Sequence, residues 1–141
     1  LIPHVETPQD NLYTKEEMKM LYETRKILSD DQLKVSATCV RVPVIRCHSE
    51  SINIEFDQNP DVEKISQLIN NYPGITMLDD IHTNTYPTPI FGEGKEDVYV
   101  GRLRKDISNE NAINLWAVSD NLVKGAALNA IQILEEFQKI G

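Results

Sequence analysis

The hydrophobic period changes within one short stretch of this chain. From Ser51 to Phe56, Ile52, Ile54 and Phe56 fall on every second position, the pattern of a half-buried strand. A few residues later Val62, Ile65, Leu68 and Ile69 step by three and four, the stripe of an amphipathic helix. Asn59-Pro60-Asp61 opens that helix and Tyr72-Pro73-Gly74 closes it. Neither an all-helical nor an all-strand fold accommodates both patterns. The chain therefore predicts α+β, with a sheet of mixed or antiparallel pairing and helices packed on it.

The remaining text fits that class. Residues 1–13 read as an extended lead-in, and Thr14-Lys15-Glu16-Glu17 is a capping box for a helix running to Leu28, with Met20, Leu21, Thr24, Ile27 and Leu28 inward. The β-branched run over 34–44 predicts a strand interrupted at Pro43. Residues 75–78 suit a short strand, 79–97 a long loop of the kind that makes contacts, and 97–104 and 113–118 two further strands. Ser119-Asp120 can cap a last regular helix to Ile140. Its residues Gly125, Ala126, Ala127 and Ala130 form a face of almost no bulk, and a glycine inside a helix implies a close contact.

Charge narrows the function. With 22 acidic side chains against 14 lysines and arginines, the net charge is −8, which argues against nucleic acid, since that requires a basic face. No apolar run is long enough for a membrane helix, so the composition implies a soluble, cytoplasmic protein. Cys39 and Cys47 are too few for a disulfide framework and lack zinc spacing, and they read as reduced, half-buried thiols. His4 and His82 have no ligand spacing to His48, so no metal is expected. The apolar start, Leu1-Ile2-Pro3-His4, is not a signal peptide and reads as the beginning of a fragment or processed piece.

Four residues stand out chemically. Glu16 and Lys19 share one helix face with Glu23 and Lys26, either as a solvated face or as a pair of ligands. Arg41 interrupts an apolar run, and its guanidinium suits a substrate carboxylate or an internal salt bridge. His48 follows at a strand end, either a hydrogen-bonded structural residue or an acid/base. In an uninterrupted strand residues 41 and 48 face opposite sides, so a shared site requires a bend, and Pro43 is the obvious place. By the same alternation a Cys47–His48 dyad is not expected. Nucleotide-loop patterns and the Gly-x-Ser-x-Gly elbow are absent, and Gly92-Glu93-Gly94-Lys95 reads as a loop tip.

As strings, TKEEMKMLYETRKIL, SATCVRVPVIRCHSESINIEF, YPTPIFGEGKEDVYVGRLRKD and LWAVSDNLVKGAALNAIQI resemble, in order, the C-terminal part of the aspartate-β-semialdehyde dehydrogenase family. The resemblance touches nearly the whole chain, and RVPVxRxHSE and DNLxKGAAxNAxQI are its specific strings. It implies a glyceraldehyde-3-phosphate-dehydrogenase-like C-terminal domain, incomplete in this chain, and reduction of β-aspartyl phosphate to aspartate semialdehyde with NADPH and release of phosphate. That step leads to lysine, threonine, methionine and diaminopimelate. By position, Glu16 corresponds to the contact to the substrate amino group and Lys19 to the phosphate contact. Arg41 corresponds to the α-carboxylate ligand, His48 to the general acid/base, and Asn121 to a residue beside the nicotinamide of NADP.

The family's nucleophilic Cys, its dinucleotide loop and a phosphate-binding Arg belong to a region N-terminal to these strings, so the chain alone is expected to be inactive. Residues 1–119 are then part of a substrate-binding and dimerisation domain, and residues 120–141 a C-terminal helix packing on a dinucleotide-binding domain. A homodimer or homotetramer follows from the resemblance, with 34–56 and 79–97 as interface candidates. The alternatives are a non-catalytic homologue or dimerisation module, and a reductase of another acyl phosphate or an acyl-CoA. Joint presence of Glu16, Lys19, Arg41 and His48 argues against the non-catalytic reading, and the EExK helix with the Arg–His pair favours the amino-acid substrate.

Overall fold

The computed structural model describes residues 1–140, and its contacts divide the chain into two units, Leu1–Pro43 and the part from Val44 onward. Gly141, the last residue of the expected C-terminal segment, lies outside the described residues.

The first unit is built on α1 (Lys15–Leu28). Its capping box forms as expected: the Glu17 amide donates to Thr14 Oγ1 at 3.4 Å and the Thr14 amide to Glu17 Oε2 at 2.8 Å. Glu17 does more than cap. Its other oxygen accepts the Cys39 amide at 2.9 Å, bolting the helix start to the segment after it. Met20, Leu21 and Thr24 are half-buried as expected, whereas Ile27 and Leu28 are exposed.

The strand expected over 34–44 does not form. Leu33, Val35, Ala37 and Cys39 are half-buried and alternate with exposed neighbours, so the backbone is extended. Its only ladder contact among the described residues is a bridge between Ile2 and Arg41. Beta-branched residues favour an extended backbone, but a strand also needs a paired edge, and here Ile2 supplies one residue of it.

The second unit carries β1 (His48–Glu55), α2 (Val62–Asn70), β2 (Ile75–Met77), α3 (Pro89–Gly92), β3 (Val98–Lys105), β4 (Ala112–Ser119) and α4 (Leu128–Ile140). The sheet order is β1-β4-β3-β2, antiparallel except for the parallel β2–β3 pair, so the fold is α+β with a mixed sheet. Opposed residues share a face: Ile52 with Leu115, Ile54 with Ile113, and Val100 with Ala117. Val100, Ile113 and Leu115 form the core on that face, under Val62, Ile65 and Ile69 of α2. Full burial of a side chain such as Ile113 stabilises by about 1.5–3 kcal/mol.

The opposite face explains the long loop over 79–97. It lies on the sheet: Trp116 Nε1 donates to the Pro87 carbonyl at 3.0 Å, and Phe91 meets Tyr99 edge to face at 5.0 Å. The loop also contains α3, which was not expected; Thr88 caps it and Pro89 occupies its first position. On β3 an extra residue between Gly101 and Arg104 forms a bulge, with Arg102 at φ 57°. The carboxylate of Asp79 fills the bulge, accepting the Arg102 and Leu103 amides at 2.7 and 2.9 Å.

Asp106 ties the far end of the sheet. The Ser108 hydroxyl and amide, then the side-chain amides of Asn114 and Asn53, hold its carboxyl down to about 2 from an ordinary 3.8. A depressed carboxyl stabilises the fold above the unfolded value, and that contribution is lost as pH falls through the folded one. In the complete protein, the thermal midpoint should fall between about pH 4 and pH 2 more steeply than that of Asp106→Asn. Parallel curves for the two proteins would show that the network contributes nothing.

The last helix departs from expectation. Instead of a regular helix from Asp120, the chain makes a wide turn over Val123–Ala127 before α4 begins at Leu128. The Asp120 carbonyl accepts the amides of Val123, Lys124 and Gly125 at 3.2, 2.9 and 3.3 Å, and the last of these is an i→i+5 bond. Gly125 therefore lies in a wide turn, and the cost of glycine in a regular helix interior does not apply to it. Gly125, Ala126, Ala127 and Ala130 are exposed, as are Ile131, Ile133, Leu134 and Phe137.

Candidate functional site

Glu16, Lys19 and Arg41 belong to the first unit. Glu16 and Lys19, one turn apart on α1, are ion-paired at 3.0 Å, both partly accessible. The Glu16 carboxylate holds the Lys19 ammonium above its usual range. A partly exposed pair is worth little by itself, so a ligand with opposite charges can compete for both groups. Arg41 is exposed; its backbone exchanges two hydrogen bonds with Ile2, at 3.1 and 2.9 Å.

His48 and Asn121 belong to the second unit, which brings them to one end of the sheet. His48 starts β1 opposite Ser119 of β4, and its side chain is exposed. The Cys47 amide donates to Asn121 Oδ1 at 3.1 Å. Because that amide is a donor, the oxygen end of Asn121 faces Cys47, which leaves the NH2 group as its donor end. The approach to β1 is not a straight strand. The chain bends at Pro43 and again at Ile45 and Arg46, and Cys47 takes φ 76°, left-handed backbone unusual for a residue with a Cβ.

Asp120, immediately before Asn121, is read from the sequence only as a helix cap. Its side chain is 0% exposed and bonds Arg46 Nη2 at 2.7 Å, the Gly94 amide at 2.8 Å and the Leu122 amide at 2.9 Å. The Gly94 amide, then that of Leu122 and the Arg46 guanidinium, hold its carboxyl below the usual range despite burial. The signal in the sequence is faint: an Asp before Asn121, with an Arg two residues before His48.

Cys47 is buried, and burial pushes its thiol up, with the carboxylates of Asp120 and Glu93 adding to the effect. A protonated thiol in that setting is a poor nucleophile. Among the described residues no group of three His, Cys, Asp or Glu side chains could hold a metal ion. No described helix is long and apolar enough to cross a membrane.

Known proteins resemble this arrangement closely. The family model described as semialdehyde dehydrogenase, dimerisation domain, matches residues 1–124. An aspartate-semialdehyde dehydrogenase of Aquifex aeolicus is 49% identical over 140 residues, covering 99% of this chain and 41% of that protein. Among solved structures, aspartate semialdehyde dehydrogenase II of Vibrio cholerae complexed with ASA superposes with a TM-score of 0.90 at 44% identity, covering 95% of this chain and 39% of the other. The Candida albicans aspartate semialdehyde dehydrogenase with NADP gives 0.67 at 27% identity, covering 85% and 39%. The chain thus spans about two fifths of the length of these relatives. It belongs to the semialdehyde dehydrogenase dimerisation-domain family.

Proposed function

We propose that this chain is the substrate-binding, acid/base and dimerisation part of an NADP-dependent aspartate-semialdehyde dehydrogenase, which converts β-aspartyl phosphate to aspartate semialdehyde and phosphate in amino-acid biosynthesis in the cytoplasm. One observation carries the reading most: His48 and Asn121 lie at one sheet end, joined through Cys47. Reduction of an acyl group needs a proton-transfer residue and a nicotinamide at the same carbon, and this end offers a residue for each.

In this reading Glu16 receives the substrate ammonium and Lys19 the phosphate, a division that suits an ion pair able to open toward a doubly charged ligand. Arg41 holds the α-carboxylate by two parallel bonds. His48 moves a proton at the reacting oxygen as the tetrahedral intermediate forms and collapses. The nucleophilic cysteine and the dinucleotide loop belong to the rest of the enzyme, consistent with a chain two fifths the length of its relatives. NADP fits the donor end of Asn121, and when bound it supplies the hydride. Two copies or more associate through this part. Exposed Val42, Ile45 and Ile90, at 46%, 94% and 90%, support the expected interface stretches over 34–56 and 79–97.

Arg41 gives the test. In the complete protein, Arg41→Lys should raise KM for β-aspartyl phosphate at least about tenfold with a smaller effect on kcat, since an ammonium cannot make the two-bond contact. An unchanged KM would remove Arg41 from the substrate.

A further inference from the structure

We propose that Asp120 is a positioning residue: with Arg46 it clamps the segment carrying His48 to the segment carrying Asn121, fixing acid/base and cofactor residues in one geometry. The inference rests on the function proposed above and adds to it a pair of residues that touch neither substrate nor cofactor.

Three successive ties cross between residues 46–48 and 119–121. Arg46 meets Asp120, the Cys47 amide meets Asn121, and His48 is in register with Ser119. The side chain of Asp120 also holds the Gly94 loop tip, while its carbonyl gathers the three amides of the wide turn that follows. One buried residue therefore determines where β1 starts and how the chain leaves Asn121. Left-handed Cys47 lies inside this arrangement, and such a backbone persists only where its surroundings over-determine it.

Stability alone does not account for the pair. Burying the Asp120 carboxylate beside a half-buried Arg46 is costly, and apolar replacements of a buried ion pair often do as well. Here the desolvation is incomplete in compensation, since Arg46 Nε is buried without a hydrogen-bond partner. What a carboxylate with three directed bonds adds is orientation, and orientation is what proton transfer beside a cofactor demands.

The test uses the complete protein and three variants, Asp120→Asn, Arg46→Lys and His48→Asn, with thermal midpoints measured alongside kinetics. Asp120→Asn should lower kcat by about ten- to a hundredfold while KM for β-aspartyl phosphate stays within about twofold. Arg46→Lys, which keeps the cation but not the planar guanidinium whose Nη2 reaches Asp120, should lower kcat in the same manner by a smaller factor. This second variant decides the matter if Asp120→Asn does not fold. If folded variants retain kcat, or if kcat, KM and the midpoint decline together, the positioning role is wrong. Should His48→Asn retain full activity, the underlying function is wrong, and the two failures are thereby distinguished.

Discussion

Replacing Gly101 with alanine should destabilise the complete protein by about 3 kcal/mol or more, seen as a lower urea midpoint or loss of soluble protein. Gly101 does not use left-handed backbone, so its glycine is required for space alone. A Cβ there would stand 2.1 Å from the Leu78 carbonyl oxygen and 2.7 Å from Pro87 Cδ. Leu78 cannot withdraw easily, because its amide donates to the Val100 carbonyl at 2.8 Å. Pro87 is likewise held, its carbonyl accepting from Trp116. The substitution therefore pushes a backbone segment and the loop off the sheet together. A wild-type midpoint for Gly101→Ala would mean that the loop does not lie on this face.

The second large effect concerns His48. In the complete protein, His48→Asn should reduce kcat by about 10²–10⁴ with little change in KM, because asparagine keeps polarity and size but cannot exchange a proton near neutral pH. Folding should be unaffected, since the His48 side chain is exposed and its strand pairing is made by backbone. Steady-state kinetics with β-aspartyl phosphate checks it. Retained kcat would leave His48 a structural residue at a strand end.

Much of the architecture is legible from local pattern. The capping box at Thr14 follows from spacing within one element and forms. The elements α2 and β1 form where their periods place them, but Leu68 of the expected stripe and Ile54 and Phe56 of the expected alternation are exposed, and Phe56 lies beyond β1. The failures are those where a partner decides. The run over 34–44 has strand composition, yet pairing is non-local, and a single bridge to Ile2 does not make a ladder. The helix expected from Asp120 opens as a wide turn closed on the Asp120 carbonyl, and the Asp120 side chain is engaged by Arg46 and Gly94, many residues away in sequence. Likewise Glu17 reads as a cap, and only the fold reveals that its second oxygen holds Cys39.

The same division applies to the chemistry. Residue type and spacing single out Glu16, Lys19, Arg41 and His48, and the pairing of Glu16 with Lys19 is an i,i+3 relation that spacing predicts. The neighbourhood of His48 and Asn121 depends on the register of β1 against β4, a property of the sheet that no window of sequence contains. Arg46 escapes notice for that reason, and Asp120 is read only as a helix cap. Their meaning lies in a contact across that register.

The central claim is reversible, phosphate-linked oxidoreduction of aspartate semialdehyde by the protein of which this chain forms part. The most direct measurement incubates the complete protein with aspartate semialdehyde, inorganic phosphate and NADP⁺, following NADPH by absorbance and trapping acyl phosphate with hydroxylamine. The account predicts NADPH only when all three are present, matched mole for mole by trapped acyl phosphate. NADPH formed equally without phosphate, or none formed with all three, would contradict it.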